Sequence, residues 1–237
     1  MSCCKEVQDP NASRCVHPEH KQEQVLENHG TVMQEILCHL PYAIFSVALA
    51  MIVLSFLSYS QSGLYEHRLF HSFHFLHILF AATGTIIMFR KYSTSKIQAV
   101  LVGIFVPAIF CTMSDTLLPY VGGALINLPM EFHWCFLSHI DTIIPFLAAG
   151  ILNGWVMSSH EASRQVFYSL GFHFFHIFIS SMASILYLVS FGFTEWWTQM
   201  GFVFMYMILV VLIPCTLADI VVPILFARLK KIAFRSN

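Results

Sequence analysis

The chain has 237 residues, of which 57% are hydrophobic and 11% charged, and its mean hydropathy is +0.70. A soluble domain carries about 25% charged residues, so this composition excludes an ordinary soluble protein and predicts an all-α membrane protein surrounded by the lipid bilayer. The net charge of −1 gives no reason to expect a nucleic acid partner.

Residues 1–37 are predicted to form a polar cytoplasmic tail. The composition of this tail, which includes several Cys and His residues, is typical of a disordered segment. The stretch CVHPEH at 15–20 could bind metal loosely, although its spacing matches no standard zinc finger. Since the start of the chain is polar, we expect no cleavable signal peptide.

Six segments are apolar over the roughly 20 residues that a helix needs to cross the hydrocarbon core. Because lipid offers no hydrogen-bond partner to an open backbone, each of these segments is expected to be a helix. The predicted spans are 41–59, 68–90, 97–119 with an extension to 126, 142–158, 165–192 and 199–227.

Lys and Arg residues predict the orientation, because cytoplasmic loops carry an excess of both. With six spans and both termini inside, Arg68 is the one basic residue of the twelve on the outer face. We therefore expect a multi-pass protein of the plasma (cell inner) membrane with a basic cytoplasmic C-terminus. The residues on the inner face are Lys5, Arg14, Lys21, Arg90, Lys91, Lys96, Arg164, Arg228, Lys230, Lys231 and Arg235.

Two spans carry paired histidines within nearly identical sequences. The second span contains FHFLHI at 73–78, and the fifth contains FHFFHI at 172–177. Residues at i and i+3 share one face of a helix, so both imidazoles of a pair can point at one ion. The pairs are His74 with His77 and His173 with His176, and His67 and His71 extend the first pair outward.

A second motif, Cys-Thr-x-x-Asp-x-x-x-Pro, occurs at 111–119 and again at 215–223. Its Cys and Asp are at i and i+4, again on one helical face. Proline lacks an N–H, so Pro119 and Pro223 would leave the carbonyls of Asp115 and Asp219 unpaired. We therefore expect a broken helix at each of these buried carboxylates.

The motifs recur in the same order, at offsets of 99 to 104 residues, and a looser match joins His39 to His139. This recurrence predicts a three-helix repeat over 38–126 and a second over 127–237. Three spans is an odd number, so the second repeat would cross the membrane upside down, as in many secondary transporters. The motifs would form either two clusters, one per side, or a single site near the midplane.

Each half offers two imidazole nitrogens, one carboxylate and one sulfur, a set that suits a borderline divalent cation. Zn²⁺ or Fe²⁺ is favoured, Co²⁺ and Ni²⁺ belong to the same class, and Mn²⁺ would bind if the sulfurs do not ligate. The predicted metal ligands are His74, His77, Asp115, Cys111, His173, His176, Asp219, Cys215, His39 and His139.

The loop between the third and fourth spans has no Lys or Arg, and it carries Glu131, His133, His139 and Asp141. Such a rim would attract cations from outside, which favours uptake.

The function predicted from these residues is transport of a divalent transition metal, with protons as one source of coupling, by a protein that is not an enzyme. Four alternatives stay open. Paired histidines also bind haem in membrane electron carriers, and His with Asp can hold the zinc of an intramembrane hydrolase. The same residues could relay protons for an organic solute, or join helices by hydrogen bonds. Assembly as a homodimer is also left open.

Overall fold

A computed structural model describes residues 32–59, 63–159, 162–193 and 195–227. Six long helices dominate these residues, and each is long and apolar enough to cross a membrane. The prediction of an all-α protein with six candidate spans is therefore confirmed. The helices are α1 Val32–Tyr59, α2 Gly63–Tyr92, α3 Lys96–Leu125, α4 Ile140–Met157, α5 Ala162–Ser190 and α6 Trp196–Ala227, and a short helix, Cys135–Ser138, precedes α4.

Helix α1 begins at Val32, six residues before the predicted start of the first repeat at 38. Good helix formers such as Gln34, Glu35 and Leu37 continue the helix beyond its apolar part. The predicted polar tail at 1–31 and the basic segment at 228–237 lie outside the described residues.

The helices that carry the histidine motifs lie at the centre of the bundle. Helix α2 packs against α3, α4 and α5, and α5 also packs against α1 and α6. Most of the apolar stretch of α2, α5 and α6 is buried, whereas only a minority of the corresponding stretch of α1, α3 and α4 is buried. Apolar side chains such as Phe56, Phe105 and Leu152 are exposed and would face lipid.

Helices α3 and α6 are not broken at their aspartates, contrary to our expectation. Each instead widens into one π-helical turn, Met113–Leu117 in α3 and Leu217–Val221 in α6. In a π-helix the N–H of residue i donates to the carbonyl of i−5, as Leu118 does to Met113 and Val222 does to Leu217. Such single turns occur frequently at functional sites.

Hydroxyls of neighbouring helices bond backbone carbonyls within the two π-helical turns. Five residues before Pro119 is Ser114, and five residues before Pro223 is Ala218. The Ser184 hydroxyl of α5 donates to the Ser114 carbonyl at 2.9 Å. The Thr85 hydroxyl of α2 donates to the Ala218 carbonyl at 3.2 Å. The carbonyl of the residue before each aspartate is therefore bonded by a hydroxyl from another helix.

Helices α2 and α4 approach closely because α4 presents glycines to α2. A Cβ added at Gly150 would lie 2.5 Å from the Leu79 carbonyl oxygen and 2.8 Å from the Ala82 Cβ. The Thr83 hydroxyl also donates to the Gly150 carbonyl at 3.0 Å. Small residues of this kind let membrane helices pack backbone to backbone.

We expect Gly150→Ala to lower the thermal unfolding temperature of the purified protein in detergent. The new methyl group would push α4 away from α2, and overpacking of this kind costs about 1–3 kcal/mol. Gly171→Ala is the control, because a Cβ at Gly171 meets nothing within 4 Å. It should leave stability unchanged or raise it slightly. Equal unfolding temperatures for the two variants would contradict this account of the interface.

Candidate functional site

The two histidine motifs meet in the middle of the bundle. His77 lies 14 residues after the first residue of α2 and 15 before its last, and His176 lies 14 residues from either end of α5. Their ring centroids are 4.9 Å apart, and each residue is only 1% exposed. This contact brings residues of both motifs into one cluster halfway along the two helices.

Asp115 is fully buried and accepts hydrogen bonds from three helices. The Nδ1 atoms of His74 and His77, both on α2, donate to its Oδ2 at 2.8 and 2.7 Å. The hydroxyl of the adjacent Ser114 donates to Oδ1 at 2.7 Å, and Ser180 on α5 lies at 3.5 Å. A carboxylate in an apolar interior requires such donors, so Asp115 fixes both rings of the first pair.

Asp219 has fewer partners than Asp115. The His176 Nδ1 donates to its Oδ2 at 2.6 Å, while its Oδ1 is buried without a hydrogen-bond partner. Gly84 on α2 permits this placement, because a Cβ there would lie 2.9 Å from Oδ1. His173, which we expected beside Asp219, lies with its ring 4.6 Å from the ring of His39. The pair of Asp219 and His176 is therefore formed without the other histidine of the motif.

Each carboxylate binds the Nδ1 of an imidazole, so the Nε2 of the same ring can bind another partner. A neutral imidazole that donates from Nδ1 presents an acceptor lone pair at Nε2. The Nε2 atoms of His74 and His176 are buried and have no partner, and that of His77 lies 3.7 Å from the Cys215 sulfur. Metal-bound histidines have this arrangement, since their second nitrogen usually donates to a carboxylate.

His77, His176 and Cys215 each contribute one candidate ligand atom, and these atoms lie within 4.8 Å of one another. Zinc–nitrogen and zinc–sulfur distances of about 2.05 and 2.3 Å place N and S about 3.6 Å apart around a tetrahedral ion. The 3.7 Å between Cys215 Sγ and His77 Nε2 agrees with this separation. We call these three residues the central site.

Neither aspartate is part of the central site, but each contacts one of its imidazoles. Asp115 holds His77, and Asp219 holds His176, each through Nδ1. We had predicted both carboxylates as metal ligands, and this geometry favours an orienting role for them. The Ser180 hydroxyl, 3.4 Å from the Cys215 sulfur, adds a further contact between α5 and α6.

The other predicted ligands lie elsewhere. Cys111 is buried but belongs to neither metal-capable group found among the described residues. His139 lies in the second of these groups, with His71 and His133, near the loop that precedes α4. Burial and the neighbouring imidazoles of His139 and His67 lower the pKa of His133, so its ring is neutral near pH 7.

Several hydroxyl residues that support the site were not predicted from the sequence. These are Ser180, Ser184 and Thr85, and Gly84 provides the space for Asp219. A signal for them exists in the sequence. The small-residue stretches AATGT at 81–85 and SSMAS at 180–184 are 99 residues apart, the same offset as the histidine pairs.

Comparisons with protein-family models, with curated proteins and with solved structures found no match to this chain.

We expect Asp115→Asn to destabilise the protein more than Asp219→Asn. Asp115 accepts from two imidazoles and from Ser114, and Asp219 from one imidazole only. A hydrogen bond to a charged group contributes about 1.5–3 kcal/mol, so the two variants should differ by several kcal/mol. Thermal unfolding in detergent with a metal chelator would measure this, and equal losses would contradict the bonding described above.

Proposed function

We propose that the chain is a membrane transporter for a divalent transition-metal cation, with Zn²⁺ or Fe²⁺ as the favoured cargo. The observation that supports this most is the central site itself. Two imidazoles and a thiol from α2, α5 and α6 converge halfway along the two central helices. Buried ionisable residues inside a membrane bundle are expensive and mark ion pathways.

The central site suits a cargo that must also leave. Three protein ligands leave a fourth tetrahedral position for water or for an incoming ligand. A nitrogen and sulfur set selects borderline metals over Na⁺, Mg²⁺ or Ca²⁺. The orienting carboxylates keep the two imidazoles ready for the ion, because they fix the tautomer and the ring orientation.

Charge balance gives a reason to couple metal movement to protons. Two carboxylates are buried around the central site, and an uncompensated charge in an apolar interior is strongly unfavourable. Without metal, protons on the imidazoles can balance Asp115 and Asp219. An arriving dication would take over this role and displace protons from its ligands, including the Cys215 thiol. We therefore include proton exchange in the proposal.

The proposal extends to two inverted three-helix repeats, 38–126 and 127–237. Helix contacts support it, because α1 packs against α5 as α4 packs against α2. The π-helical turn of α3 contacts α5, and that of α6 contacts α2. Two hydroxyl hydrogen bonds also correspond. The Ser184 hydroxyl donates to the Ser114 carbonyl, and the Thr85 hydroxyl donates to the Ala218 carbonyl. A two-fold axis between α2 and α5 would relate each contact to its counterpart.

In this scheme the two repeats rock about the central site, opening it first to one side and then to the other. The basic residues predict that both termini are cytoplasmic, in a plasma (cell inner) membrane. Opening toward the loop before α4 would then load the ion from outside. The cargo itself and the surrounding lipid are the partners that the proposal requires.

The haem alternative is less compatible with the geometry. The rings of His77 and His176 are 4.9 Å apart, a distance typical of two rings in direct contact, so no macrocycle plane fits between them. An intramembrane hydrolase would use the same ligands, but transport also gives a reason for the recurrence of both motifs.

The two motif cysteines provide a matched test. Both are buried and occupy the same position in the same motif, but only Cys215 lies beside His77. We expect Cys215→Ala to reduce Zn²⁺ uptake into proteoliposomes more than tenfold, because it removes a ligand, and Cys111→Ala to retain most of it. A zinc-sensitive dye inside the vesicles would report the flux.

Two results would contradict the proposal. Equal fluxes for Cys215→Ala and wild type would reject the central site. Tight Zn²⁺ binding that depends on Cys215, without any flux across the vesicle membrane, would reject transport and favour the metal-dependent hydrolase.

A further inference from the structure

The second histidine group lies at the end of the bundle where the loop from α3 enters α4. His71 comes from α2, His133 from the loop, and His139 from the turn between the short helix and α4. Their ring centroids are 4.5 Å apart for His71 and His139, 5.4 Å for His71 and His133, and 5.9 Å for His133 and His139. One nitrogen of each ring lies within 4.8 Å of the others.

We propose that His71, His133 and His139 form a second cation site, which takes a borderline divalent metal of the zinc class and is separate from the central site. Three neutral imidazoles are a known ligand set for zinc. The Nε2 of His133 is buried without a hydrogen-bond partner, so it is available as a ligand. We call these three residues the outer site, from the orientation proposed above.

Both ring nitrogens of His71 have partners, since Nε2 lies 3.3 Å from the His67 Nε2 and Nδ1 lies 3.4 Å from the Cys135 Sγ, and a bound cation would take the place of one of them. The loop that carries His133 is held by contacts that do not involve the His133 Nε2. The backbone N–H of His133 donates to the Tyr187 hydroxyl, which in turn donates to the Glu131 carbonyl. The N–H of Glu131 donates to the Phe191 carbonyl at the end of α5. The Phe191 ring also stacks on that of His133, with centroids 5.2 Å apart. These contacts hold the loop in one position, as a metal site requires.

Gly192 makes this anchoring geometrically feasible. Its φ is +136°, and a Cβ there would lie 2.7 Å from the Pro129 carbonyl oxygen. An L-residue at this position would be strained and would push the loop away from α5. The chain therefore uses glycine where the end of α5 meets the loop that carries His133.

The histidine that α2 contributes to the outer site has no equivalent at the matching position of α5. Val166 and Leu170 occupy the sequence positions that correspond to His67 and His71. A feature needed only for packing two equivalent halves would be expected in both halves. The presence of His71 on α2, with leucine at the matching position of α5, suits a task performed on one side of the membrane, which is the capture of a cation.

Helix α2 connects the two sites. Six residues separate His71 from His77, which is about 9 Å along a helix, and His74 lies between them. The role of the outer site as a loading position rests on the proposed transport function. Its ability to bind metal does not, since it needs only the three imidazoles.

Cobalt(II) bound to the purified protein in detergent distinguishes the two sites. Both sites would give visible d–d absorption, and a thiolate ligand adds sulfur-to-cobalt charge transfer. Because the Cys135 sulfur lies 3.4 Å from the His71 Nδ1, all variants are made in a Cys135→Ala background, in which only the central site retains a thiol. We expect the double variant His133→Gln/His139→Gln to lose about half of the bound Co²⁺ and to keep the charge-transfer band. Cys215→Ala should lose that band and keep d–d absorption. Ser138→Ala, an exposed neighbour of His139, is the control.

Wild-type cobalt content in the double variant would overturn the outer site, as would complete loss of cobalt binding in Cys215→Ala. Cobalt that binds with d–d absorption but without charge transfer in the wild type would retain the outer site and reject the central one. The single variants His133→Gln and His139→Gln test whether the double variant loses cobalt merely because it misfolds. Each should weaken Co²⁺ binding at this site at least roughly tenfold while leaving the thermal transition unchanged.

Discussion

The arrangement of this bundle depends on one constraint, the need to satisfy two carboxylates buried in an apolar interior. Asp115 is fully buried and Asp219 is 3% exposed. In such surroundings an unpaired carboxylate is strongly destabilising, so donors must reach it. The nearest are the Nδ1 atoms of His77 and His176, and these bonds join α2 to α3 and α5 to α6. The helices that carry these donors, α2 and α5, therefore lie at the centre of the bundle.

The prolines shape the same region through the backbone. A proline four residues after an aspartate would clash with its carbonyl in an ordinary α-helix. A π-helical turn precedes each proline, at Met113–Leu117 and Leu217–Val221, and the carbonyl five residues before each proline receives no N–H from that proline. Hydroxyls of Ser184 and Thr85 then bond that carbonyl from another helix. The backbone irregularity thus becomes a specific link between helices.

The two proposed repeats make similar helix contacts but differ in their polar groups. Corresponding helices make corresponding contacts, yet Cys215 joins the central site and Cys111 does not. His74 pairs with an aspartate, whereas His173 lies against His39. In the proposed transport cycle, such differences would give the ion different surroundings on the two sides of the central site.

The sequence determined the class of fold and most of the chemistry, because hydropathy, charge and repeated motifs are local properties of the chain. Six apolar segments of sufficient length specify six helices, and the pairing of HxxH with Asp identified the polar interior. The tertiary structure decided which of these residues meet. Spacing along one helix places Cys111 and Cys215 identically, and only the packing of α6 against α2 and α5 brings Cys215 to the imidazoles. Contacts between helices depend on their relative rotation and depth, which no single helix encodes.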